Sequence, residues 1–330
     1  MIEPSDAALQ PHARLAEILN REVAPRADNS RAATKALLVV RDGKLVGEAY
    51  APGFDAMTPI IGYSLAKTLC NAVTGRMVET GHLDVEERDL FAEWRGGADR
   101  RRDITIAQLL QMTSGLTIAE THTGYDPVSH MLFLSQDMGT FAARSASGAA
   151  PGQHFKYTSG NTLLVSRLIR DRLGGDVHGV LGYLDRELFA PAGMERMLVE
   201  FDASGTPILS TFCYASARDW ARLGLLFLND GCVGTTRLLP QGWVEFSKST
   251  TIEPSYGAGL RLSRAGGQGE RWLLAGMPED TFYGHGHLGQ YVLVIPSLNA
   301  VIVRLGTSAP KMRPRDRAVF ADIAAAIGGQ

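Results

Sequence analysis

Ser64-Leu65-Ala66-Lys67 sets a hydroxyl and an amine three residues apart at the head of a run with helical periodicity. A serine hydroxyl is a weak nucleophile near neutral pH and needs a base within hydrogen-bond reach as it attacks. Positions i and i+3 of a helix share a face, so the Lys67 amine can sit beside the Ser64 oxygen. The helix start adds free backbone N–H groups and the positive dipole end, which favour negative charge near Ser64. The chemistry this allows is acyl transfer through a covalent intermediate on Ser64. Spacing alone is a weak signal, because Ser308-Ala309-Pro310-Lys311 repeats it. That copy holds a proline and follows a strand, so it has no helix to bring its ends together. Lys67 also stands out in a chain whose basic residues are overwhelmingly arginine. Arginine cannot serve as a base, whereas burial can lower a lysine's pKa.

A proton taken from Ser64 must travel on to a leaving group, and Tyr157 in Tyr157-Thr158-Ser159 is the candidate relay. It follows the turn-rich Pro151–Lys156 and precedes a helical stretch, so it can project from a loop into a cleft. A tyrosine there can equally be a core residue with a satisfied hydroxyl. The third element is Tyr283-Gly284-His285-Gly286-His287-Leu288-Gly289-Gln290, which runs into the strand Tyr291–Ile295. Glycines at a strand edge permit close approach, and the His287 N–H could join that of Ser64 as an oxyanion hole. His285 and His287, two apart on one strand, share a face and invite a metal reading. No further His, Asp or Glu lies at ligand-like spacing, so a structural role for both is preferred and no cofactor is expected.

Several elements must hold these groups. Asp6–Val23 reads as an amphipathic helix, and Ala36–Val40 and Lys44–Tyr50 as strands of a hairpin turning at Asp42-Gly43. Ser64 to about Gly81 is helical, with Gly81 as cap. Helices are expected over Thr105–Met112, Gly139–Arg144, Thr162–Leu173, Val180–Phe189 and Ala217–Asn229. Strands return at Tyr256–Leu262, Trp272–Ala275, Gln290–Ile295 and Ala300–Leu305, before a last helix near Asp316–Ile327. Early and late strands around a helical middle predict an α+β fold. An antiparallel sheet from residues 1–84 and 240–330 would carry a mainly helical insert, 85–239, with the active site between them.

Four stretches occur in the order found in the class C β-lactamase-related hydrolases, which this chain resembles. They are Ser64–Lys67, Gln108-Leu109-Leu110-Gln111-Met112-Thr113-Ser114-Gly115-Leu116, Tyr157-Thr158-Ser159-Gly160-Asn161-Thr162, and Gly286-His287-Leu288-Gly289-Gln290; Ala217–Leu226 is similar as well. Within that family the nearest resemblance is to the 6-aminohexanoate-dimer hydrolases and related carboxylesterases. The resemblance implies the β-lactamase/transpeptidase-like fold and metal-free catalysis. It marks Ser64 as nucleophile, Lys67 as base, Tyr157 as proton relay, and the Ser64 and His287 N–H groups as oxyanion hole. It also places Tyr125 in a substrate-covering loop, where an ordinary loop aromatic is an equal reading, and Ser159, His285 and Gly286 beside the substrate. The β-lactamases usually carry Asn where Ser159 stands, and Lys-Thr-Gly where this chain has Gly284-His285-Gly286. A short ester or amide is therefore the expected substrate. A true β-lactamase, a D-amino-acid peptidase and a penicillin-binding sensor without turnover are the alternatives.

Composition limits the other classes. With 45% hydrophobic and 21% charged residues, the 330-residue chain has the make-up of a globular protein. A net charge of −2 leaves no surplus for nucleic acid, and Arg100-Arg101-Arg102 is the one short basic run. No window has the run of about 20 apolar residues needed to span a bilayer, so no membrane partner is expected. Cys70, Cys213 and Cys232 form neither a disulfide framework nor a zinc motif. The opening residues lack a secretory pattern, so a cytoplasmic location is expected, although a chain trimmed of its signal would read the same.

Overall fold

The computed structural model describes residues 13–25, 33–121, 123–264, 274–308 and 313–329. Six strands make the main antiparallel sheet: β1 (Ala33–Arg41), β2 (Lys44–Tyr50), β3 (Arg261–Leu262), β4 (Phe282–Gly286), β5 (Gln290–Ile295) and β6 (Ala300–Thr307). Their spatial order is β2-β1-β6-β5-β4-β3. The two ends of the chain meet at its centre, where Val39 pairs with Ile302 across β1 and β6. The β1–β2 turn is the expected one: Asp42 and Gly43, at φ 51° and 71°, form a two-residue turn whose twist matches the strands it joins.

Both faces of this sheet are covered, which explains why Ala36–Val40 is continuously apolar rather than alternating. Leu37, Val39, Leu293 and Ile302 pack with Leu15 and Leu19 of the Ala13–Val23 helix and with Phe320 and Ile323 of the Arg313–Gly328 helix. Leu38, Val40, Val292 and Val301 face the other way, into a larger core that continues through the helical middle of the chain. Residues of that core on the Ala217–Leu228 helix include Trp220 and Leu223. This helix packs on the sheet, although sequence position counts it with the insert. Trp220 and Trp243 are both buried.

Two strand expectations fail. Over Tyr256–Leu262 only Arg261 and Leu262 join the ladder, because Gly257 N–H closes a turn on the Leu260 carbonyl and Gly259 is at φ 73°. Trp272 and Leu273 lie outside the described residues, and the described end of that expected strand, Leu274–Ala275, is a loop. The helix expected to open at Thr162 begins three residues earlier, as Ser159–Arg172. Val180–Phe189 is a helix, Val177–Leu184, followed by a wider π-helical turn over Asp185–Phe189. Among the described residues no helix is long and apolar enough to cross a membrane.

Candidate active site

A small second sheet delivers Ser64. The strand Ile60–Ile61 pairs with Cys213–Ala215, and Gly62 extends the ladder by donating its N–H to the Cys213 carbonyl at 2.8 Å. Tyr63 then adopts φ 48°, a left-handed conformation that costs a residue with a β-carbon about 1–2 kcal/mol. Residues Tyr63–Leu65 wind as a 3-10 turn leading straight into the Ala66–Glu79 helix, so Ser64 precedes the α-helix proper. Leu65 and Ala66 are right-handed helical, which preserves the i, i+3 facing. Lys67 Nζ lies 3.1 Å from Ser64 Oγ.

Lys67 is 2% exposed, and its amine has two other contacts, Ser159 Oγ at 3.0 Å and the Ser210 carbonyl at 2.9 Å. Ser64 Oγ, Ser159 Oγ and the Ser210 carbonyl oxygen are three acceptors within reach of the N–H groups of the amine.

The first turn of the Ser159–Arg172 helix fixes the remaining polar groups. Thr158 caps the Ser159–Arg172 helix by accepting from the Gly160 N–H at 3.2 Å, and the Glu120 carboxylate accepts the Ser159 N–H. Ser159 thereby turns its hydroxyl onto Lys67. Tyr157, just before the cap, is half-buried with Lys67 Nζ 5.0 Å from its ring centre. Tyr256 meets it edge to face at 5.7 Å, and Arg261 lies over both rings. Burial, reinforced by the neighbouring Tyr157, holds the Tyr256 phenol well above its ordinary range. Ser64, Lys67, Tyr157, Tyr256, Arg261 and His285 border one narrow cavity.

Strand β4 closes the site from the other side. A β-carbon at Gly286 would stand 2.0 Å from the Gly62 carbonyl oxygen, so glycine alone lets the strand lie against the turn that carries Ser64. The histidines part company here, contrary to the shared face expected of them. His285 is on the strand and its ring meets that of Tyr291 at a tilt, with centres 4.8 Å apart, among the residues of the opposite sheet face. His287 lies past the end of β4, exposed, its ring edge-on to Tyr63 at 5.5 Å. His285 therefore borders the cavity from a strand whose alternation turns its ring away from the Gly284 and Gly286 side. The His287 carbonyl is held by Gln290 Nε2 at 3.0 Å, and Arg304 secures the Gly289 carbonyl at 2.6 Å.

Two other expectations receive a location. Tyr125 is 90% exposed, in the turn leading to the Pro127–Leu134 helix, where its N–H donates to Thr123 Oγ1 at 3.3 Å. Ser308 of the second Ser-x-x-Lys copy is buried and its Oγ accepts from Arg304 at 2.7 Å, while Lys311 lies outside the described residues. Sequence reasoning missed Glu120, Ser210, Tyr256 and Arg261. A signal existed for the last two, since glycines inside a strand-like run mark a close approach. A β-carbon at Gly259 would lie 2.7 Å from the Lys67 carbonyl oxygen.

Comparison with known proteins assigns the family. The beta-lactamase family model matches residues 19–326. The chain belongs to the beta-lactamase family. It is thus a serine hydrolase of the beta-lactamase kind, with the α+β fold expected from sequence. This beta-lactamase-family chain is 24% identical to the 6-aminohexanoate-dimer hydrolase of Paenarthrobacter ureafaciens, over 83% of its own length and 72% of the relative's. Its fold matches that of a candidate 6-aminohexanoate-dimer hydrolase from Bacillus anthracis with TM-score 0.75 and 22% identity, covering 92% of this chain and 81% of the other. A family VIII carboxylesterase matches with TM-score 0.67 and 14% identity, covering 96% and 97%.

Proposed function

We propose that this chain hydrolyses a small ester or amide through an acyl-enzyme on Ser64. The observation that carries the reading is the buried Lys67 amine, 3.1 Å from Ser64 Oγ and held by two further oxygens. Ser64 Oγ attacks the substrate carbonyl as its proton passes to Lys67, and the carbonyl oxygen becomes an oxyanion at the N–H groups of Ser64 and His287. Tyr157 relays the proton to the departing alcohol or amine as the carbonyl re-forms. Water then adds to the acyl group, giving its proton to the same base, and Ser64 leaves reprotonated. In this reading the site lies between the sheet unit (1–84 and 240–330), which supplies Ser64, Lys67 and His287, and the insert (85–239), which supplies Tyr157, Ser159 and Ser210.

Ester or amide rather than β-lactam is favoured by Ser159 and by Gly284-His285-Gly286, which replace the groups that resemblance assigns to holding a β-lactam. The names of the similar hydrolase and carboxylesterase point the same way. The test compares turnover of p-nitrophenyl butyrate, 6-aminohexanoate dimer and nitrocefin. The ester or the dimer should be turned over well ahead of nitrocefin; the reverse order would move the substrate back to β-lactams. Ser64→Ala should abolish turnover and labelling by a fluorophosphonate, and a mutant that still labels would remove Ser64 from its role. A burst without a steady state on all three substrates would favour a sensor.

A further inference from the structure

In the proposed mechanism the oxyanion meets the N–H groups of Ser64 and His287, and each of these residues adjoins a strained neighbour. Tyr63, just before Ser64, is at φ 48°, and Leu288, just after His287, is at φ 60°. Apart from glycine, Asn and Asp are the types that tolerate this left-handed backbone best. Asp42, Asp89, Asp230 and Asn299 are of that kind; Tyr63, Met112 and Leu288 are the other non-glycine residues in it among the described residues. Met112 also serves the site, since its carbonyl accepts the N–H of Lys156, the residue before Tyr157. Strain of this sort persists only where surrounding contacts over-determine it.

Each donor has its own support. Gly62 ties the Ser64 turn to the small sheet through its N–H to Cys213, and its carbonyl accepts the Leu65 N–H at 3.1 Å. His287 lies in a three-residue turn between Gly286 and Gln290, which pair across β4 and β5. The main sheet holds that turn: Gln290 ties the His287 carbonyl, Arg304 the Gly289 carbonyl, and the Leu288 carbonyl accepts the Ser308 N–H at 2.8 Å. The two supports belong to different sheets, so their relative placement depends on contacts between them. One is the close approach of Gly286 to the Gly62 carbonyl. Another is made by side chains: the Tyr63 ring stands edge-on to the His287 ring, with centres 5.5 Å apart and planes at 80°. That is an arrangement aromatic rings favour.

An oxyanion hole works when both N–H groups converge on one oxygen, at about 2.7–3.1 Å. We propose that Tyr63 is a positioning residue for this reaction: its ring, braced against that of His287, sets the spacing between the Ser64 and His287 N–H groups. This inference rests on the reading of those two N–H groups as the oxyanion hole. Glycine at position 63 would adopt the left-handed backbone without steric cost. Local backbone preference and activity therefore pull in opposite directions there.

The test compares kcat, KM and melting temperature, with p-nitrophenyl butyrate as substrate, for full-length wild type, Tyr63→Gly, Tyr63→Ala, Tyr63→Phe, His287→Ala and the double variant Y63A/H287A. Y63G and Y63A should both lose about 10–100-fold in kcat with KM within about twofold, short of the roughly 10²–10³-fold of losing a donor outright. Y63G should melt no lower than Y63A, because glycine relieves the left-handed backbone. Y63F keeps the ring and should stay within about threefold of the wild type. H287A keeps its N–H but loses the ring, and its kcat should fall by a factor similar to that of Y63A. The double variant should lie within about threefold of the weaker single variant, as for two residues acting through one contact. If Y63A does not fold, Tyr63→Leu makes the same comparison. Loss of kcat in Y63G alone would assign the effect to backbone stiffness, multiplying factors in the double variant to separate roles, and a raised KM alone to a substrate contact. Each of these overturns the proposal, as does wild-type kcat in Y63A. Failure of the underlying reading is separately visible, as turnover that survives in Ser64→Ala or full kcat in His287→Pro, which has no N–H to donate.

Discussion

Lys67 makes three polar contacts, and they are not equivalent. The Ser210 carbonyl can only accept, so it fixes one N–H and with it the rotation of the amine about the Cε–Nζ bond. Ser159 can rotate its hydroxyl to either role. Removing the amine with Lys67→Met should therefore lower kcat by about 10²–10⁴-fold. Ser159→Ala should cost only about tenfold, because Ser210 still orients the amine. Steady-state rates on one ester rank the two, and a larger loss for Ser159→Ala would mean that the serine handles the proton itself. A comparable logic applies to Gln290, whose amide ties the His287 carbonyl and whose Oε1 accepts the Gly306 N–H at 2.8 Å. Gln290→Leu should reduce kcat about tenfold with KM little changed, below the roughly 10²–10³-fold of losing an oxyanion donor outright. At this scale Ser64 and Lys67 were legible because one helical turn relates them. Ser210 was not, since 143 residues separate it from Lys67 and a carbonyl has no side-chain signature.

Elements convert these contacts into a site through two junctions. The first is the start of the Ser159–Arg172 helix, where the Thr158 cap sets the position of Ser159. Thr158→Ala should cost about 1 kcal/mol in urea unfolding and lower kcat together with it, since the loosened first turn carries the Lys67 partner. The second is the close approach of β4 to Gly62. Gly286→Ala places a methyl 2.0 Å from the Gly62 carbonyl oxygen, and relief requires the strand or the Ser64 turn to shift. Activity should fall more than tenfold while the melting temperature drops only modestly, an overpacking cost of about 1–3 kcal/mol. Wild-type activity in G286A would show that the two elements can part freely. The expected helix starts were off by two or three residues at both Ser64 and Ser159. A 3-10 turn continues the helical spacing that periodicity reads, and the cap at Thr158 carries a weaker signal than the apolar run after it.

Across the whole molecule, the sheet buried on both faces separates two cores, and the thiols report on the larger one. Cys70 and Cys213 are fully buried, and burial raises the Cys70 thiol from 9.0 to about 12 and Cys213 further. Half-buried Cys232 is the accessible thiol. Native protein at pH 8 should react with Ellman's reagent at Cys232 alone, with the other two appearing only on unfolding. Cys232→Ser tests this, since any fast native reaction in that variant would place a second thiol at the surface. The linked effect on stability has a definite sign. The folded state holds these protons more tightly than the unfolded chain, so the contribution is complete below about pH 9 and is lost as pH rises through 12. Urea midpoints at pH 8 and pH 11 should therefore fall with pH, and substituting both buried cysteines by Ala should flatten the decline.

The sequence by itself determined that Ser64 and Lys67 meet, the hairpin at Asp42-Gly43, the apolar strands and the helical middle. Each of these depends on residues close along the chain, where a period of two or 3.6 or a two-residue turn leaves a readable pattern. Tertiary structure decided which distant groups surround Lys67 and which way His285 and His287 point. Those depend on where β4 stops pairing and on how closely Gly286 and Gly259 let backbones approach. Arg261 is the clearest case: in the sequence it is one arginine at the start of a short strand, and only the packing of β3 beside β4 brings its charge over Tyr157.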